Sequence, residues 1–200
     1  MTLLPLENNL APADGEIYWL PAFFDGQQAD RLFMALLETL AWAEEEIVIA
    51  GKTVRVPRLV CWYGDADAVY RYSGVRHEPL PWSEELLAIR KVLGEKLEIT
   101  FNSVLANLYR DGNDSMGWHA DKEKELGRDS VIASLSFGEQ RLFKLRHNKT
   151  RQTLDIPLQH GDLLIMAGAL QHHWRHCLPK SKVARRRRIN LTFRQIRTTP

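Results

Sequence analysis

The chain has 200 residues, 44% of them hydrophobic and 26% charged. That length and balance fit one globular domain and exclude a disordered, collagenous or coiled-coil chain. Net charge is only +2, but residues 1–48 hold nine acids against Arg31, while residues 163–200 hold nine Lys or Arg and no acid. A basic end of this kind can face nucleic acid or simply be solvated. No stretch reaches the roughly 18 apolar residues of a membrane span. The first residues carry no basic segment of a secretory signal. Two cysteines, Cys61 and Cys177, cannot build a disulfide framework. The expectation is a cytoplasmic monomer with reduced thiols and no membrane partner.

In chain order, Asp25 caps a helix running to about Leu40, with Leu32, Phe33, Leu36, Leu37 and Leu40 as its apolar stripe. Ile47 to Val60 alternates weakly around Gly51-Lys52, which predicts a hairpin. Trp62 to Val75 reads as strand and loop. Ser83 caps a second helix, with Glu84 and Glu85 in its favourable first turn, and Gly94 either ends or interrupts it.

From Thr100 the pattern changes to short β-rich runs. They are Phe101–Tyr109, Val131–Phe137, Arg141–His147, Thr153–Pro157, Asp162–Met166 and Ile189–Ile196, punctuated by Asp111-Gly112, Gly138-Glu139 and Gly161-Asp162. This spacing predicts an α+β fold, with N-terminal helices packed on one sheet of a jelly roll. A jelly roll encloses a pocket that inward polar side chains would line.

Three groups carry chemistry. In His119-Ala120-Asp121, residues two apart on an extended segment share a side and offer an imidazole and a carboxylate to one metal. A third ligand can come from His172, His173 or His176. Two His and one carboxylate on one face of an octahedral ion make the facial triad of non-haem Fe(II) oxygenases. The alternative for the pair is a surface turn. In Arg188-Ile189-Asn190-Leu191-Thr192-Phe193-Arg194, alternation puts Ile189, Leu191 and Phe193 on one face and Arg188, Asn190, Thr192 and Arg194 on the other. Two inward arginines need anions, and a dicarboxylate would satisfy both. Pairing of Arg194 with a protein carboxylate is the alternative. Asn107 and Tyr109 share a strand face and can donate to a carboxylate.

The ordered set Asn107-Leu108-Tyr109, His119-Ala120-Asp121-Lys122-Glu123, His176 and Arg188 to Arg194 resembles the AlkB family of Fe(II)/2-oxoglutarate nucleic-acid dealkylases. Val56-Pro57-Arg58, Tyr63-Gly64-Asp65, Ser73-Gly74 and Ile132 to Gly138 extend the likeness over some 145 residues. It is similar to the branch that contains the animal nuclear DNA repair homologue.

The resemblance implies the double-stranded β-helix (jelly roll) fold. Residues 1–99 would hold the helices and the nucleotide-recognition hairpin and strands, and 100–200 the catalytic core, as one integrated domain. It implies His119, Asp121 and His176 as the Fe(II) ligands, since the family's second histidine precedes a Leu-Pro pair, here Leu178-Pro179. It assigns Asn107, Tyr109, Arg188, Asn190, Thr192 and Arg194 to 2-oxoglutarate. Which arginine takes which carboxylate stays open. It assigns Glu123, Tyr70, Arg71 and Tyr72 to the alkylated base, with Tyr70 and Tyr72 on one strand face. Surface solubility for Glu123 and barrel packing for the tyrosines are the plain alternatives.

The implied reaction is oxidative demethylation of 1-methyladenine or 3-methylcytosine in DNA, with dioxygen as the oxidant. RNA or a protein side chain is the alternative substrate, and a non-enzymatic nucleic-acid-binding jelly roll the alternative class. Lys180, Lys182 and Arg185 to Arg187 would attract phosphates. The relative's aromatic wedge before Val-Pro-Arg is missing, because Ile49-Ala50-Gly51-Lys52 stands there. Ala50 is too small to fill a base gap, so duplex preference does not carry over: either Ile47 or Ile49 substitutes, or the protein favours single strands.

Overall fold

Leucine-rich and β-branched runs broken by Gly and Asp favour short strands over helices after residue 100. The computed structural model describes residues 7–197 apart from 50, 69, 73 and 74. Strand β1 (Glu16–Leu20) precedes helix α1 (Gly26–Thr39). A hairpin of β2 (Ala43–Ile49) and β3 (Lys52–Gly64), a small hairpin of β4 (Tyr70–Tyr72) and β5 (Val75–His77), and helix α2 (Glu84–Leu97) follow. Next come β6 (Ser103–Tyr109), β7 (Met116–His119), β8 (Ile132–Gly138), β9 (Arg141–His147), β10 (Thr153–Leu158) and β11 (Leu163–Ala167). The single-turn helix α3 (Leu170–His173), β12 (Trp174–Leu178) and β13 (Arg188–Arg194) complete the order. No helix among the described residues is long and apolar enough to cross a membrane.

A seven-stranded sheet, ordered β1-β11-β8-β13-β6-β3-β2, faces a four-stranded sheet, ordered β10-β9-β12-β7. The pairings within both are antiparallel, and the architecture is a jelly roll. Strands β1, β2 and β3 belong to the larger sheet, so residues before 100 complete it.

Both long helices cover the outer face of that sheet. Leu36 of α1 and Leu86, Ile89 and Leu93 of α2 pack in one cluster with Leu135, Leu191 and Phe193. Asp25 makes a capping box with Gln28: its side chain accepts from Gln28 N at 2.8 Å, and Gln28 Oε1 accepts from Asp25 N at 3.3 Å. Ser83 Oγ accepts from Leu86 N at 3.3 Å. Gly94 does not end α2, which runs on to Leu97 and stops where Glu98 turns left-handed at φ 55°. The second cluster, between the sheets, includes Tyr109, Ile132, Leu145, Leu164, Met166 and Trp174.

Three strands, β1, β7 and β12, are absent from the pattern read in sequence. Strand β12 contains Arg175 and His176 where apolar alternation is the usual signal, so its polar inward residue hides it. Strand β7 has four residues, too short a run to show a period.

Candidate active site

Strand pairing brings His119 and His176 together. They are direct partners across β7 and β12, with ring centroids 4.2 Å apart. Asp121 follows the end of β7, its Oδ1 3.8 Å from His119 Nε2. The ligand atoms of His119, Asp121 and His176 all lie within 4.8 Å of one another. His119 Nδ1 stands 2.9 Å from Gly117 O, a contact made by the Nδ1–H form, which leaves the Nε2 lone pair for a metal. Burial, reinforced by neighbouring His119, pushes His176 down to about 3 against the pull of Asp121, so its ring is neutral near pH 7. Burial opposes charge on Asp121, but Arg194, His176 and His119 outweigh it and hold the carboxyl well below its usual range. Asp121 is further fixed by Gln171, whose Oε1 accepts from its backbone N–H at 2.9 Å. Two oriented imidazoles and one buried carboxylate suit Fe(II) with open positions.

A slot runs inward from these three residues between the sheets. Its floor is the polar face of β13, and its lining includes Asn107, Tyr109, Ser134, Arg188, Asn190 and Thr192. The register explains this: Arg188 lies opposite Tyr109, Asn190 opposite Asn107 and Thr192 opposite Leu105, all on one face. Arg194 sits at the metal end, where Nη2 donates to Asp121 Oδ2 at 2.9 Å. Arg188 sits at the other end and is 2% exposed. Its Nη2 donates to Ser136 Oγ at 2.8 Å, and its guanidinium stands 5.3 Å from the Tyr109 ring centre. Among the described residues no carboxylate pairs with Arg188, and its Nε has no hydrogen-bond partner. Burial pulls its pKa down to about 10, so it stays charged at neutral pH. Asn107 Oδ1 accepts from Arg58 Nε at 2.7 Å, which leaves its buried Nδ2 without an acceptor. A buried cation and a buried amide, each with one donor atom lacking an acceptor among the described residues, fit an anionic guest.

Outside the metal end opens a cleft of about 460 Å³, bordered by Ile47, Val54, Arg58, Trp62, Glu123 and Arg194, among others. Glu123 is half-buried, and its Oε2 has no hydrogen-bond partner among the described residues. Not every expected residue is brought here. Tyr70, Arg71 and Tyr72 form β4, which pairs with β5, but their side chains lie outside the described residues, as does Ala50. Lys180, Lys182 and Arg185 to Arg187 precede the Arg188 end of β13, whereas the cleft opens at its Arg194 end, roughly 20 Å along the strand. His172 Nε2 lies 3.5 Å from Asp129, away from the triad.

His173, Asp14 and His147 form a second cluster. There His147 Nδ1 accepts from Thr150 N at 3.1 Å and Lys149 N at 3.3 Å, so its proton sits on Nε2, 3.2 Å from Asp14 Oδ2. That ring has no lone pair left for a metal. Residues not singled out from sequence include Ser134, Ser136, Gln171 and Phe143. Phe143 stacks on His176 with centroids 5.3 Å apart.

Comparison with known proteins agrees with this geometry. The profile of the 2OG-Fe(II) oxygenase superfamily matches residues 16–194. "Alpha-ketoglutarate-dependent dioxygenase alkB homolog 3" of Bos taurus is 40% identical over 190 residues, covering 90% of this chain and 66% of that protein. The chain thus spans just under two thirds of that relative's length. "DNA oxidative demethylase ALKBH2" of Homo sapiens is 40% identical over 187 residues, covering 88% of this chain and 72% of that protein. The solved structure of a 2OG-Fe(II) oxygenase family oxidoreductase from Burkholderia pseudomallei shares the fold, with a TM-score of 0.61 at 18% identity, covering 91% of this chain and 87% of that one. The chain belongs to the 2OG-Fe(II) oxygenase superfamily and, within it, to the AlkB family.

Proposed function

We propose that this chain is an Fe(II)/2-oxoglutarate-dependent dioxygenase that removes N-methyl groups from bases in alkylated DNA. The observation that carries the reading is the buried, carboxylate-free Arg188 at the far end of a slot that begins at His119, Asp121 and His176. In this reading His119 Nε2, Asp121 and His176 hold the iron. When bound, the iron and 2-oxoglutarate supply oxygen activation coupled to oxidative decarboxylation, which hydroxylates the N-alkyl carbon and releases it as an aldehyde.

The protein's own residues do the positioning. Arg188 takes the distal carboxylate of 2-oxoglutarate with help from Tyr109. Arg194 neutralises charge at the metal end and fixes the Asp121 carboxylate. Asn107 directs its free Nδ2 donor at the guest, and Asn190 and Thr192 complete the polar floor. Phe143 keeps the His176 ring in place and helps exclude water.

Glu123 supports a nucleobase as substrate. A partly buried carboxylate oxygen without a donor suits the exocyclic amine of a cationic, N-methylated base. Tyr70, Arg71 and Tyr72 of β4 are assigned to the same base, which they would meet by stacking. RNA carries the same bases and is the second substrate to test. The reduced, buried thiols of Cys61 and Cys177 fit a reducing compartment such as the cytoplasm.

The test is an Fe(II), 2-oxoglutarate and ascorbate assay on oligonucleotides carrying 1-methyladenine or 3-methylcytosine, with His176→Ala as control. Repair lost in the control supports the proposal. Succinate formation without repair of any oligonucleotide discards the substrate, and absence of succinate from iron-loaded protein discards the enzyme.

A further inference from the structure

The four-stranded sheet turns its other face to solvent. Along β12, His176 points inward with its partners His119 and Leu145. The alternate positions Trp118, Arg146 and Arg175 therefore point outward. Arg175 and Arg146 are direct cross-strand partners. Arg146 reaches across β12 to stand over Trp118, its guanidinium 4.6 Å from the ring centre. Trp118 is 39% exposed and also borders the cleft beside the triad.

The charges of this strip are unmatched. Nearby Lys144 is neutralised by Asp155 at 2.9 Å. Arg175 is exposed, and neither Arg146 nor Arg175 has an ion pair or side-chain hydrogen bond with any described residue. The basic run before Arg188 lies toward the wrong end of β13 to hold phosphates at the cleft mouth.

We propose that Trp118, Arg146 and Arg175 bind the single-stranded polynucleotide that leaves the cleft. The two guanidiniums take consecutive phosphodiesters, and the Trp118 ring takes the base next to the one in the cleft. A stacking ring on an open sheet face needs an unpaired base, so the strip selects a single strand over a duplex. The inference rests on the proposed nucleobase substrate and extends it beyond the reacting nucleotide.

The test uses the intact chain and fluorescence anisotropy with a labelled, unmethylated single strand of twelve nucleotides and a labelled mononucleotide in rising salt. Wild type is expected to bind the longer strand more tightly. Arg146→Gln with Arg175→Gln should weaken it about tenfold and flatten the log–log salt slope by about 1.4, at ~0.7 per phosphate. The mononucleotide, which ends inside the cleft, should be bound equally by both. Arg146→Lys with Arg175→Lys should restore the slope. Trp118→Ala should weaken the longer strand three- to tenfold with the slope unchanged. An unchanged slope in the glutamine variant, equal losses for both lengths, or no length preference in wild type each overturns the strip. Strand binding with this pattern but no demethylation removes the proposed chemistry and leaves the strip standing.

Discussion

Arg188→Met separates two effects of opposite sign. Without ligand the buried guanidinium donates to Ser136 and stands 5.3 Å from the Tyr109 ring centre. A pKa pushed down to about 10 corresponds, at ~1.4 kcal/mol per pH unit, to roughly 3 kcal/mol against the charged form. Methionine removes that penalty and forfeits the hydrogen bond, which is worth about 1 kcal/mol. The net gain is about 1–2 kcal/mol, or a Tm rise of roughly 3–6 °C for a chain of this size. With 2-oxoglutarate the sign reverses. Loss of two charge-assisted hydrogen bonds, at about 1.5–3 kcal/mol each, raises the KM for 2-oxoglutarate at least a hundredfold. The assay is thermal unfolding with and without saturating 2-oxoglutarate and a redox-inert divalent ion, followed by a KM titration. A variant that melts lower than wild type when ligand-free, or that keeps the full 2-oxoglutarate-induced shift, refutes the reasoning.

Glu123→Gln keeps shape and removes charge, so kcat/KM on a cationic methylated base should fall ten- to a hundredfold with little change in uncoupled succinate formation. Asp114 is buried and accepts from Arg110 at 2.8 Å; burial raises its pKa, but Arg110 wins and holds the carboxyl below its ordinary range. Such a group stabilises above about pH 4 and loses that contribution as pH falls through its folded value. Asp114→Asn should therefore cost about 1–3 kcal/mol at pH 7, and the gap in urea stability should close toward pH 3. At Gly112 a Cβ would collide with the carbonyls of Ser181 and Ala184, which frame the loop before β13. Gly112→Ala should lower stability by about 1–3 kcal/mol and raise the KM for 2-oxoglutarate, because that loop delivers Arg188. Asp121→Asn should weaken Fe(II) binding at least a hundredfold by equilibrium titration, since no other carboxylate among the described residues completes the triad.

The polar face of β13 was legible because its two faces are buried in different chemistries. Ile189, Leu191 and Phe193 meet the helices, and Arg188, Asn190, Thr192 and Arg194 meet the slot. The helix caps at Asp25 and Ser83 were legible for a local reason: capping depends on three or four neighbouring residues. Strand β12 was not, because its inward residue is a histidine whose purpose depends on His119, 57 positions earlier. Glu123 sits in a charged run, Lys122 to Glu125, that reads as solvated, and only the turn after β7 carries its oxygen inward. The Arg58–Asn107 hydrogen bond joins two strands, and neither residue's local pattern announces it. Charge counting points to the basic run from Lys180 to Arg187, and the proposed strip adds Arg146 and Arg175, which no linear count distinguishes.

Strand β13 is held on both sides, by β6 and β8, along nearly its whole length. A strip of backbone clamped in that way cannot stretch, so the interval between its terminal arginines works as a fixed gauge. Each of those side chains is tethered in turn, Arg188 to Ser136 and Arg194 to Asp121. In the proposed reaction such a gauge would favour an anion long enough to run from Arg188 to the metal end, and its setting could change only with the register of the sheet itself.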